Sequence, residues 1–502
     1  MKTKIVIWLL LGLATNAYSQ KKHDYNWLFG YGSGIPDSTN PFGGIIMSFN
    51  KNKIEFIPQE RDFWFNYQTN SYSDTFGRLR YMSNGCSMAD ENAQLILNGD
   101  SLGFGKIWGV NCPISQPIAQ AGVFLNFTDQ DSLLSFLHII LDTIGNGQKA
   151  FIKCIYETII DIKKSEAILK NNIILYDTLY GSITAIPSKD NGKWWIMIPR
   201  DRTNEYYTLL YSSSGTERIL KQAIGYEHLH NGGGGTQAIF SPDGKKYAIY
   251  SPLNGLQVFD FDRLTGELRN FNFYNLIYSH NIISGCSFSP DSRFVYVSNP
   301  TEVLQVDLLE QDSTRAIDTV GLFDNFFDPY PTTFLQMVLG PDCRIYISTY
   351  GGNQYLHVIL YPDRKGKECQ LINRGLKLPT RNANAIPNFP HYRVDEPYPC
   401  DSTIRIQLNT DVEEEFKFRE GDILMYPNPV KSELVIHDIK QTILGKLNIC
   451  LLSMQGQQLY EINIENTGEE IHIPVGKLST GMYFIQMRNG LGRYWVDKFV
   501  KD

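Results

Sequence analysis

The chain is poor in what many functions require. It has 46 basic against 53 acidic residues, and no basic stripe able to neutralise phosphates, so nucleic acid is excluded as an expected partner. After the first twenty residues no apolar run approaches the ~20 residues that span a bilayer, so no transmembrane segment is expected. There are eight Cys and no CxxC, which argues against a thiolate metal cluster. No Gly-x-Ser-x-Gly elbow, His-Glu-x-x-His helix or Walker loop occurs, so the common hydrolase, metalloprotease and nucleotide signatures are missing.

The chain is rich in aromatics, with 29 Tyr and 28 Phe, and 42% of its 502 residues are apolar. That length exceeds one ordinary domain, and the aromatic excess favours β structure. The start, "MKTKIVIWLLLGLATNAYSQKK", combines Lys2 and Lys4 with a short apolar run, Ile5 to Leu13. Ala17 and Ser19 stand at the −3 and −1 positions of a cut after Ser19. Residues 1–19 therefore read as a secretory signal peptide. Removing it leaves 44 basic against 53 acidic residues, a net charge near −9. In an exported chain an even Cys count permits disulfides. Cys369 with Cys400 is the expected bridge, and Cys450 reads as a buried thiol.

Repetition dominates residues 180–375. "PSKDNGKWWIMIP" (187–199), "FSPDGKKYAIYS" (240–251), "FSPDSRFVYVS" (288–298) and "LGPDCRIYIST" (339–349) align, each a strand end, a tight turn and an alternating strand. Pro242 to Pro290 is 48 residues and Pro290 to Pro341 is 51. A second strand follows each turn, as in "LQVFDF" (256–261), "LQVDLL" (304–309) and "LHVILY" (356–361). A period near fifty with several short strands per unit is the mark of β-propeller blades. "RLRYMSNGCSMADENAQLIL" (78–97) and "GVFLNFTDQDSLLSFLHIIL" (122–141) read as degenerate blades. "NAIPNFPHYRV" (384–394) is expected to complete the ring. Six or seven blades over 20–400 are predicted, with the N-terminal strand pairing into the last one.

Residues 401–422 carry seven acids against three bases and read as an acidic linker. From 423 to 502 short alternating strands return, predicting a small Ig-like β-sandwich. The fold class is thus all-β: a propeller followed by a sandwich.

The tail's motifs are "YPNPVKSELVI", "LSMQGQQLY", "IPVGKLSTGMYFIQM" and "VDKFVK", in that order. In them the tail resembles the C-terminal sorting domain (type A) of the type IX secretion system. Pro427, Asn428 and Pro429 match its opening motif and Gly456 its turn glycine. Leu478, Gly481 and Tyr483 match its Leu-x-x-Gly-x-Tyr, and Lys498 and Lys501 its basic end. Ser453 stands where an acidic residue is usual. The resemblance implies the type IX machinery as a partner of residues 423–502. It also implies passage through the periplasm and outer membrane, ending in surface attachment or release. The body, through "YNWLFGYGSG", "KWWI", "FDRLTGEL" and "IPNFPHYR", resembles exported propeller-like proteins without an assigned reaction.

Candidate site residues are few. His228 and His230 in "YEHLHNGGGG" would share a strand face, as metal ligands sometimes do, with His280 as a third; an exposed flexible loop is the alternative. Asp260 and Asp262 share a face and could bind Ca²⁺ or do acid–base work, but such acids also bond turn backbones. Adjacent Trp194 and Trp195 face opposite ways, so one could stack on carbohydrate. Asp90 and Glu91 flank a turn. No cofactor is required by any motif; Ca²⁺ or another metal is the one open possibility. The expected role is non-catalytic binding of an extracellular protein or glycan. The alternative is a propeller hydrolase or lyase acting on an extracellular sugar, lactone or peptide.

Overall fold

Period-two burial organises the main body of the computed structural model. In the strand Lys246–Ser251, Tyr247 and Ile249 pack with Trp195 and Met197 of one neighbouring sheet. Ala248 and Tyr250 pack with Cys286 and Val295 of the other. Alternate side chains point to opposite faces, so each sheet is apolar on both and must be sandwiched. The structure describes residues 21–502 except 38, 63, 104, 113, 145–148, 230–234, 279–282, 385, 395–399, 410–422, 439–444, 454–457, 467, 469 and 490–493.

Seven small antiparallel sheets follow one another along the chain before residue 400. Blade one holds Asn26–Phe29, Gly44–Ser48 and Glu55–Gln59; blade two holds Asn70–Ser73, Leu79–Ser83 and Met88–Asp90. Blade three is built on Gly122–Asn126, Leu133–Ile139 and the long pair Lys149–Asp161 and Glu166–Leu179. Blades four to seven each have four strands, starting at Thr184–Pro187, Gln237–Phe240, Gly285–Phe288 and Phe334–Leu339. Successive first strands lie side by side from blade two to blade seven. Trp27 of blade one meets Tyr346 of blade seven edge-on at 5.2 Å, closing the circle. The body is a seven-bladed β-propeller.

The repeated turns behave as their sequence requires. The Gly244 N–H bonds the Ser241 carbonyl at 2.8 Å, and the Asp243 carboxylate accepts the Lys245 N–H at 3.0 Å. Gly192 and Gly244 have φ of +79° and +70°, and Ser292 and Cys343 take the same corner at +62° and +60°. The left-handed corner is thus kept where glycine is lost, at a cost of order 1 kcal/mol.

Closure differs from the expectation. The N-terminal strand does not pair into the last blade; Asn26–Phe29 pairs with Gly44–Ser48 inside blade one, and blade seven is complete from its own four strands. Residues 384 and 386–393 instead run past the inner strands. The Asn384 N–H bonds Asn66 O, the His391 N–H bonds Ala185 O, and Tyr392 OH bonds Phe124 O. Arg393 then forms a two-pronged ion pair with Asp24, at 2.9 and 2.7 Å. The two ends of the propeller are therefore joined by a buried salt bridge rather than by a shared strand.

The expected Cys369–Cys400 bridge is corrected: Cys400 bonds Cys343, Cys86 bonds Cys112, and Cys369 is a buried free thiol. Cys369 sits in the apolar core between blades six and seven. Cys343 occupies the half-buried corner of a repeated turn instead. Residues 401–405, expected in the linker, fold onto the propeller: the Arg405 N–H bonds Asn52 O at 2.8 Å and Ile404 is buried. Residues 410–422 lie outside the described ones.

The chain divides into two compact units, one holding the described residues to Ile372 with Leu378–Ile406, the other Asn373–Lys377 with Gln407–Asp502. The second contains a sandwich. One sheet is Ile423–Tyr426, Glu433–Asp438 and Ile471–Pro474; the other is Gln458–Asn466, Gly445–Ser453, Gly481–Asn489 and Tyr494–Lys501. Leu434, Ile436, Leu451, Ile473, Ile485 and Phe499 fill the space between them. Cys450, expected buried, is half-buried on the same strand as Leu451. No described helix is long and apolar enough to cross a membrane.

Candidate functional site

The tail's opening motif is a clamp. The Asn428 side chain accepts the Val500 N–H at 2.9 Å and donates to Lys498 O at 3.3 Å. The Val430 N–H then bonds Val500 O, and the Asp502 N–H bonds Val430 O, both near 2.9 Å. Pro427 and Pro429 flank this amide through cis peptide bonds, and neither spends an N–H that would compete for the last strand. Tyr483 stacks on Phe499 at 5.6 Å and bonds Ser479 O at 2.8 Å, while Leu478 packs on the core. A Cβ on Gly481 would meet the Tyr483 ring at an ordinary 3.9 Å, and its φ is not left-handed, so no local steric demand for glycine acts here. Lys498 is held by its backbone in the last strand. Gly456 lies outside the described residues. The first and last elements of the domain therefore interlock through residues the motif specifies.

In the propeller, the ring's middle is filled by amides. Gln120, just before blade three, exchanges two hydrogen bonds with Ala238 of blade five, at 2.6 and 2.8 Å. Gln237 of blade five accepts the N–H groups of Cys286 and Met337 and donates to Met337 O. Asn388 donates to Gly122 O and Ile183 O at 2.9 and 3.2 Å, and receives Gln120 at 3.0 Å. The Gln120–Ala238 and Gln237–Met337 bonds link non-neighbouring blades, three with five and five with seven, which places these amides toward the axis. Sequence reading missed these three residues. A recurring Gln-Ala pair at the mouth of two inner strands (120–121 and 237–238) was the available signal.

His228 is not the exposed loop residue one reading expected. It is 1% exposed, 4.9 Å from the Tyr180 ring and 5.1 Å from Tyr206. Burial lowers its pKa to about 3, so the imidazole is neutral at ordinary pH. His230 and His280 lie outside the described residues. Among the described residues no three His, Cys, Asp or Glu side chains gather as a metal group.

Asp260 and Asp262 lie together on the wall of a cavity of about 660 Å³ with Lys189, Lys245, Lys246 and Arg263. It opens on the rim where the inner strands end. Lys246 meets Asp260 at 2.7 Å and Asn270 donates to its other oxygen at 2.7 Å. Burial alone would raise the Asp260 pKa, but these two partners outweigh it and hold it below the usual value. The Leu264 N–H, at 2.9 Å, depresses that of Asp262 in the same direction. Both are ionised and engaged, one in an ion pair and one in a turn. Asp90 likewise accepts the Asn92 and Gln94 N–H groups. Trp194 and Trp195 are both buried, their indole N–H groups donating to Asn126 O and Arg263 O, so neither offers a face to sugar.

Residues 424–502 match the family model described as secretion system C-terminal sorting domain. The tail is a type IX sorting domain, and it marks the chain as cargo for secretion or cell-surface attachment. No curated protein matches the chain. Among solved structures, a periplasmic gluconolactonase from Pseudomonas aeruginosa is similar at 11% identity, with 72% of this chain and 98% of that one covered and a TM-score of 0.34. The Dos1 propeller gives 10%, 66%, 94% and 0.34. A candidate 6-phosphogluconolactonase from Bacteroides uniformis gives 11%, 71%, 97% and 0.36. These likenesses are too low to speak for function, and the propeller assignment rests on the strand pairings above.

Proposed function

We propose that this protein is an exported, non-catalytic binding propeller, taken to the periplasm by residues 1–19 and across the outer membrane by its sorting tail. The observation that carries the proposal is the tail matched over 424–502 and tied to its last strand by Asn428. The choice of binding over catalysis is supported by the axis. Prominent among the groups meeting there are the amides of Gln120, Gln237 and Asn388, which neither give nor take a proton at physiological pH.

The test is a screen of the secreted protein against glycans, proteins and metal ions, run beside hydrolysis and lyase assays. Saturable binding without turnover is expected. Metal-dependent or metal-free turnover of any sugar, lactone or peptide overturns the reading in favour of an enzyme.

A further inference from the structure

The rim where the inner strands begin carries an aromatic surface that the binding reading leaves unassigned. Phe327, Tyr330 and Tyr350 are 59%, 53% and 49% exposed, unusual for large rings in a body that buries most of its aromatics. Phe327 and Tyr330 lie in the loop entering the first strand of blade seven. Tyr350 lies between that blade's second and third strands. Tyr31 and Phe42, in the neighbouring loop of blade one, meet edge-to-face at 5.2 Å.

These loops are braced from beneath. Asn353, wholly buried, donates one amide nitrogen to Tyr350 O at 2.7 Å and to Pro331 O at 3.1 Å. Arg381 donates to Asp328 O and Gly352 O at 2.9 and 2.6 Å, and its backbone N–H bonds Pro41 O at 2.7 Å. Asp328 balances the guanidinium at 3.3 Å and also receives Tyr355 OH at 3.1 Å. Gly352 has φ of +87°, and a Cβ there would stand 2.7 Å from the Tyr330 ring and 3.6 Å from the Tyr31 hydroxyl. The Tyr330 ring thus rests on bare backbone, with Tyr31 beside it.

We infer that this surface is a stacking platform for a neutral hexose chain. The inference rests on the binding reading and names its ligand class. Three features select that class. The Arg381 charge is compensated by Asp328, so the patch suits a neutral ligand rather than an anionic one. Five exposed or half-exposed rings gathered on one rim match a few sugar rings in number. Tyrosines offer an apolar face and a polar tip, which fits a pyranose: its C–H face stacks while its equatorial hydroxyls reach the tyrosine hydroxyls and loop carbonyls. Bracing by Asn353 and Arg381 lowers the ordering cost of binding.

The experiment titrates the full secreted protein with neutral hexasaccharides of glucose, mannose and galactose. It compares wild type with Tyr330→Ala, Tyr350→Ala, the double variant and the two Tyr→Phe variants. At least one hexasaccharide should bind wild type. Each Ala variant should weaken it tenfold or more, the double variant should abolish it, and Phe should retain most of it, with melting temperatures unchanged. No binding of any neutral glycan by wild type overturns the inference. So does glycan binding indifferent to both Ala substitutions, or capture of a protein through these tyrosines. Those outcomes leave the binding reading standing, whereas hydrolysis of the glycan would sink that reading instead.

Discussion

Single side chains close both units of this protein. In the tail, Asn428 supplies the two bonds that tie the opening motif to the last strand. At ~1 kcal/mol per net hydrogen bond, Asn428→Ala should cost the tail about 1–2 kcal/mol. Secretion should fall in proportion, read as the ratio of medium to periplasmic protein; unchanged export would show that the clamp is dispensable. In the propeller, Arg393 and Asp24 are both nearly fully buried. Arg393→Met leaves a carboxylate unpaired in the interior and should destabilise by about 3–5 kcal/mol. Adding Asp24→Leu should restore much of that loss, because replacing both charges removes the desolvation penalty along with the attraction. A urea unfolding series of the two variants decides the matter.

At the scale of elements, blades are held by alternation and by one long cross-link. Tyr247 and Tyr250 serve opposite interfaces from one strand, so shifting that strand by one residue would send each row into the packing built for the other. The Cys343–Cys400 disulfide spans 57 residues and ties blade seven to the segment leaving the propeller. Loop-closure entropy assigns it about 4 kcal/mol, within a typical range of about 2–4. Cys400→Ser should therefore lower the unfolding midpoint clearly, and Cys369→Ser should leave the disulfide content unchanged. Thiol counting under denaturing conditions reads the second result; loss of one bridge in the Cys369 variant would restore the pairing expected from sequence.

The whole molecule stores a pH dependence in its buried imidazoles. Burial lowers the pKa of His23 and His138 to about 4 each and of His228 to about 3. The unfolded chain protonates these groups near pH 6.5 while the folded one does not. Stability from them is thus complete above about pH 6.5 and is lost as pH falls toward 4. The slope reaches about 1.4 kcal/mol per pH unit for each residue. Urea midpoints at pH 7.5 and 5.0 should differ markedly, and His228→Phe should reduce the difference; equal midpoints would contradict the burial. At the same scale, removing residues 423–502 should leave a folded propeller retained in the periplasm. A truncated protein found at the surface would refute the sorting role.

The sequence by itself determined the class of both domains and the destination. Turn chemistry repeats about every fifty residues and strand alternation has a fixed period, and both are local, so they survive without coordinates. The tail's motifs are short and ordered, and were legible for the same reason. Tertiary structure decided what depends on distant partners. Cys343 rather than Cys369 meets Cys400 because one lies on a turn corner and the other in a core. Residues 386–393 run along the inner strands and the N-terminal strand stays in its own blade, because closure is set by what seven blades leave open. Asp260, Asp262 and Trp195 proved to be engaged. Tyr330 and Tyr350 proved to be exposed, since exposure depends on which loops the ring brings to one rim.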